Sequence, residues 1–275
     1  MNPRYRTIRA IVRKDITVAL RNKGVTIPMI VVPLLFFVGI PALLALGAPA
    51  LEGLPGDPFA ELQPLLERMP SGLRAQLANL EPAQTAIVLG LVYMFAPMFL
   101  ILPLMVASVI AADSFAGEKE RRTLEALLYT PATDGELYLA KLLAAWIPAT
   151  VVSLAGFVLY ALVANLAAWP VMGRIFFPNT MWILLVLWVA PAAAGLGLGV
   201  MVLVSSRAQG FQDANQIGGV VVLPILLLVV GQLTGVMVFS VGLVALLGLA
   251  LWVVTGGLLW LGVRSFQRSE LIAQL

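Results

Sequence analysis

The stretch Ala112-Asp113-Ser114-Phe115-Ala116-Gly117-Glu118-Lys119-Glu120-Arg121-Arg122-Thr123-Leu124-Glu125-Ala126-Leu127-Leu128-Tyr129-Thr130-Pro131 decides how the chain is read. Seven charged residues fall between Asp113 and Glu125, in a protein that is only 11% charged. Uncharged runs of membrane-spanning length, 82–112 and 142–173, lie on either side. The spacing predicts an amphipathic helix over 114–130, stopped by Pro131, with Leu124, Leu127 and Leu128 on one face. Pairs at i,i+4 such as Glu118 and Arg122 stabilise such a helix by only ~0.3 kcal/mol each. Self-support is too small to explain this density of charge. A handle gripped from outside the lipid explains it better than a solvated connector.

Working outward, uncharged runs cover 24–51, 82–112, 142–173, 175–206 and 214–263. A spanning helix needs about 20 residues, so the last run holds two spans and the total is six. The chain is 61% hydrophobic, with a mean hydropathy of +0.99, which a soluble domain does not need. The fold class read from this is all-α and polytopic, with spans over 26–48, 86–112, 137–167, 181–204, 217–238 and 241–262. A β-barrel would show short alternating segments instead. The first 23 residues are polar and basic, so no cleavable leader is expected.

Residues 3–23 read as an interfacial helix. Ile8, Ile11, Val12, Ile16, Ala19 and Leu20 recur at helical spacing beside seven bases, with Asp15 the one acid. Nothing interleaves exposed aromatics with those bases, so nucleic acid is not an expected partner. Basic residues concentrate on the side of residues 3–23, 114–130, 205–216 and the C-terminal arginines. That side holds 14 of 17, leaving Arg68, Arg74 and Arg174 on the other. The positive-inside rule therefore puts both termini in the cytoplasm and the acidic 50–85 insert outside. That insert reads either as an amphipathic pair resting on the lipid or as a lid over an exit. Thr133 and Glu136 form a capping box opening span 3. Gly195 and Gly199 make a close-packing face on span 4, and Gly231 and Gly235 another on span 5.

The run Ser-Phe-Ala-Gly-Glu-Lys-Glu-Arg-Arg-Thr-Leu-Glu at 114–125, followed by Leu-Leu-Tyr-Thr-Pro, resembles the first cytoplasmic loop of ABC-2 type ABC transporter permeases. Residues 205–216 resemble the connection between spans 4 and 5 in the same family. The resemblance implies an elbow helix at the N-terminus and a coupling helix at 114–130 that docks on a separate nucleotide-binding ATPase subunit. Glu118, Lys119, Glu120, Arg121, Arg122, Thr123 and Glu125 would give its polar contacts, and Leu124, Leu127 and Leu128 its buried anchor. Arg207, Gln209, Gln212 and Asp213 mark the second loop. Two permease copies, identical or similar, and two ATPase subunits are implied in the inner membrane. ATP and Mg would sit on the ATPases, with no cofactor in this chain. Many members carry a re-entrant insert between spans 5 and 6, where this sequence has only a short uncharged connection.

No Gly-x4-Gly-Lys-Ser/Thr run occurs, so the chain is not expected to hydrolyse ATP itself. Cysteine and histidine are absent, which leaves no thiolate, disulfide or zinc chemistry. Every Asp and Glu is expected in a loop or terminal segment, which argues against a proton relay at membrane depth. A membrane hydrolase fails for want of a nucleophile–base pair. Candidate pathway residues are the neutral Tyr93, Ser108, Thr150, Ser153, Tyr160, Asn165, Gln232 and Thr234. Such groups are more often hydrogen-bonders between helices than substrate ligands. The expected function is a permease subunit of an ATP-driven exporter, its uncharged pathway suited to an amphiphilic cargo. The alternative is an anchor or mechanotransmission module, in which ATPase strokes act on an outside partner and no solute crosses.

Overall fold

In the computed structural model, the structure describes residues 3–51, 66–67, 69, 71–121, 132–234 and 237–265. An N-terminal helix, Pro3–Arg21, precedes six long apolar helices. These are span 1 (Lys23–Ala50), span 2 (Pro82–Glu120), span 3 (Asp134–Met172), span 4 (Thr180–Ser205), span 5 (Phe211–Leu233) and span 6 (Val241–Arg264). No strand occurs among the described residues. A short helix, Ser71–Leu77, buries Leu77 in the second half of the 50–85 insert. Residues 52–70 of that insert lie outside the described residues apart from Leu66, Glu67 and Met69.

Spans 2 and 4 form the centre. Within their apolar windows 72% and 67% of residues are buried, against 28% or less in the other four. Span 4 packs along span 2 on one side and span 6 on the other, while span 3 lies against span 2 and carries span 1 and the N-terminal helix. The outer faces expose Leu43, Leu166, Leu227 and Val253, as expected where hydrocarbon is the solvent. The protein is a multi-pass membrane protein.

Small residues let the central helices approach. A Cβ on Gly197 would stand 2.6 Å from the Leu104 carbonyl oxygen of span 2. On the other side of span 4, Gly195 and Gly199 meet Thr255 and Leu258 of span 6, which is the expected close-packing face. The pair expected on span 5 is not matched in this way: Gly231 meets only Met237, at ordinary contact distance, and Gly235 lies outside the described residues.

Prolines interrupt the backbone ladder inside several spans. Widened π-type turns at Leu35–Gly39, Val88–Met94 and Leu185–Val189 come just before Pro41, Pro97 and Pro191, where a missing N–H breaks the ladder. Side chains of neighbouring spans bond to backbone carbonyls around these turns. Tyr160 donates to the Leu91 carbonyl (2.6 Å) and the Trp182 indole to that of Val92 (2.7 Å). Around Pro191, Trp146 donates to the Pro191 carbonyl, Thr255 to Ala192 and Trp252 to Trp188. Trp182→Phe or Tyr160→Phe therefore removes a buried hydrogen bond beside the Val88–Met94 turn and is expected to cost about 1–2 kcal/mol in thermal unfolding. Unchanged stability in both variants would contradict this account of the turn.

Several boundaries differ from those expected: span 3 runs on to Met172, span 5 begins at Phe211, and the ends of spans 2 and 5 shift. Span 2 does not stop at Ala112 but runs on as one helix to Glu120, through a π-type turn at Asp113–Gly117. Span 5 ends at Leu233 rather than Val238, and Gln232 turns its side chain to accept from the Phe239 amide (3.1 Å) in the non-helical stretch 237–240. At the start of span 3 the capping box forms as read, with Thr133 and Glu136 satisfying one another's amides.

Candidate functional site

The extension of span 2 carries Asp113, Ser114 and Glu118 into protein-packed surroundings, each 6% exposed or less. The expectation that acids stay in loops is therefore corrected: Asp113 and Glu118 lie on the last turns of a spanning helix. They are tolerated because each finds a cation. Lys141 of span 3, fully buried, donates to Glu118 Oε2 and to the Ser114 carbonyl, both at 2.6 Å. It also reaches the Ser114 hydroxyl (3.2 Å) and lies 3.6 Å from Asp15 Oδ2. Asp15, on the N-terminal helix, accepts from that hydroxyl at 3.1 Å. Lys14 closes the ring, 2.5 Å from Glu118 Oε1 and 3.1 Å from Asp15 Oδ1. Two acids thus face two bases.

Burial pushes the Lys14 ammonium down, but Glu118 and Asp15 outweigh it, so the group is held above its ordinary 10.5 and stays charged through the neutral range. Beside this ring, Asp113 accepts from Arg121 (2.9 Å) and from Asn22 (3.0 Å), the residue that caps span 1. The Phe115 ring lies 5.3 Å from Lys141. One small volume thereby ties the N-terminal helix and spans 1, 2 and 3 together.

Asp15 belongs here by its register. Ile11, Asp15 and Ala19 recur every four residues and form the buried side of the N-terminal helix against span 3. Position 15 therefore points inward, where a lone acid is tolerable only beside Lys141. Lys14, Asp15, Asn22, Asp113, Ser114 and Lys141 carried no role in the sequence reading. An acid placed on the apolar side of a basic helix was the available signal.

The residues read as coupling contacts divide. Glu118 faces inward into the ring, whereas Glu120 and Arg121 are exposed and Lys119 is half-buried. Arg122, Thr123, Leu124, Glu125, Leu127 and Leu128 lie outside the described residues. In the second loop Arg207 is exposed, and Gln212 and Asp213 fall in the first turn of span 5, where Asp213 accepts from the Gln209 amide (3.0 Å). Glu120 joins the two loops by accepting from the Phe211 amide at 2.9 Å.

Most candidate pathway residues have structural partners. Besides Tyr160 and Gln232, Asn165 clamps the connector after span 3 through Phe176 and Phe177. Thr150 and Thr234 bond back to their own helices. Tyr93 is buried. Ser108 and Ser153 are buried with hydroxyls that bond to nothing among the described residues. No group of three or more Asp or Glu fit for a metal occurs among the described residues.

A comparison with curated proteins finds no match to the sequence. The family model for ABC-2 family transporter proteins matches residues 9–242 of the 275. That interval takes in the buried ring, both loops at the charged end and the first five spans. With six spans around a paired centre and that match over most of its length, the chain belongs to the ABC-2 transporter family as a membrane subunit.

Proposed function

We propose that this chain is the permease subunit of an ATP-driven exporter, working with a separate nucleotide-binding ATPase and a second permease copy, identical or similar. The charged end then lies in the cytoplasm of a cell with its N- and C-termini inside, in the inner membrane. The observation that carries the coupling is the Lys14–Asp15–Lys141–Glu118 ring just before residues 122–131. A stroke delivered to that loop does not bend a free hinge. It reaches a joint where the N-terminal helix and spans 2 and 3 are pinned within a few ångströms.

ATP and Mg act on the partner, where closure of paired ATPases supplies the stroke. This chain's part is to convert it into tilting of spans 2 and 3 and so open a path where two permeases meet. Among the described residues the buried charges are paired off and the remaining buried polar groups are neutral, which suits an amphiphilic cargo. Export, rather than uptake, follows the family resemblance.

The test is reconstitution of the purified complex in sealed vesicles with a fluorescent phospholipid or amphiphilic dye and ATP on the charged side. ATP-dependent transfer across the bilayer is expected. ATP hydrolysis with no vectorial movement of any amphiphile offered would replace this reading with the anchor or mechanotransmission module.

A further inference from the structure

We propose that Glu120 is a positioning residue, a strut that makes the end of span 2 and the start of span 5 move as one body. The proposal rests on the permease reading and adds to it the route by which a stroke reaches span 5. Glu118 and Glu120 are two residues apart on a helix, roughly 200° around its axis. Glu118 accordingly turns to Lys141 and Lys14, while Glu120 turns the other way to the second loop.

There the Glu120 carboxylate does the work of a missing cap. Gly210 stands at the N-cap position of span 5 with no side chain to offer, and the first helical amide, Phe211, donates to Glu120 Oε2 instead (2.9 Å). The lack of a side chain at 210 is what admits Glu120, since a Cβ there would stand 2.6 Å from that same oxygen. Negative charge at a helix N-terminus is favourable, and Asp213 adds a second carboxylate in the first turn. Inside the contact, Ala208 and Ala214 are fully buried, and Gly218 sits where a Cβ would meet the Met201 side chain. The opposite side of span 5 exposes Ile217, Val220 and Leu227, so its inner end is guided from one side.

The chain lacks cysteine, so a pair introduced into it, with the other subunits free of reactive cysteine and one labelled copy per complex, is unique. Spin labels at Lys119→Cys and Gln212→Cys in the full complex report the strut directly. One narrow distance distribution is expected, unchanged between the nucleotide-free and the Mg–ADP–vanadate-trapped states. With Glu120→Ala the distribution broadens and changes with nucleotide, while Glu120→Gln, which keeps an acceptor oxygen, stays close to the parent. Glu120→Arg sets a cation against the amide and lowers ATP-driven transfer about tenfold, with the ATPase still bound.

A nucleotide-dependent distance in the Glu120 background would overturn the strut, because the two ends would then move separately. Loss of the ATPase from the Glu120→Arg complex would also overturn it, by placing Glu120 on the partner contact. If no ATPase accompanies the unmodified chain, the permease reading itself fails. The width of the resting distribution still judges the strut in that case, and no broadening in Glu120→Ala would overturn it.

Discussion

Lys141→Met lowers the stability of the protein by about 3–5 kcal/mol, the largest single-site effect expected in the chain. The ammonium is fully buried and touches Glu118, Ser114 and, at longer range, Asp15. Methionine matches its length and packs as well, so the loss is electrostatic. It leaves Asp15 and Glu118 facing Lys14 alone, one uncompensated negative charge in a site with little water. A helix-packed ring of this kind is weak as net stabilisation but severe when half of it is removed. The double variant Glu118→Gln/Lys141→Met leaves the balanced pair Lys14–Asp15 and is expected to recover most of the loss. Thermal unfolding of the four proteins in one detergent closes the cycle. Additive losses would mean that Lys141 and Glu118 are not coupled, and the ring would lose its place in the account.

Gly197→Ala costs about 1–3 kcal/mol, although it adds one methyl group in a good helix-forming residue. The added Cβ would stand 2.6 Å from both the Leu104 carbonyl oxygen and the Ser108 hydroxyl. A side chain can rotate away, but the backbone of span 2 cannot, so the central pair must separate. Gly195→Ala and Gly199→Ala meet side chains of span 6 and are expected to cost less. Gly256→Ala, with nothing within 4 Å, serves as the opposite case and should be neutral or stabilising by up to ~1 kcal/mol. Thermal unfolding ranks the series. A Gly197→Ala protein as stable as Gly256→Ala would show that spans 2 and 4 do not approach this closely.

The fold was largely legible from uncharged run lengths, because hydrocarbon allows only helices that satisfy their own backbone. Six spans, the capping box at Thr133 and the close face at Gly195 and Gly199 all follow from local pattern. Where span 2 ends was not legible. Asp113 and Glu118 look like the start of a loop by charge, yet they stay helical and buried because Arg121, Lys141 and Lys14 neutralise them. Those partners come from helices as far as 104 residues apart in sequence, which no local spacing reveals. Several candidate pathway residues make structural contacts that no local pattern announces. Tyr160 reaches a span 2 carbonyl, while Asn165 and Gln232 bond to backbone groups of tight connections.

On the proposed function, the charged end of span 2 receives its motion from a partner ATPase. Affinity purification of the tagged chain from its native membranes, followed by identification of bound proteins and an ATPase assay, tests it most directly. The expected result is a stoichiometric P-loop ATPase that is lost when residues 122–128 are scrambled, a change that leaves Asp15, Glu118 and Lys141 in place. Purification of an intact, folded chain with no ATPase would contradict it, as would an ATPase that stays bound after the scrambling.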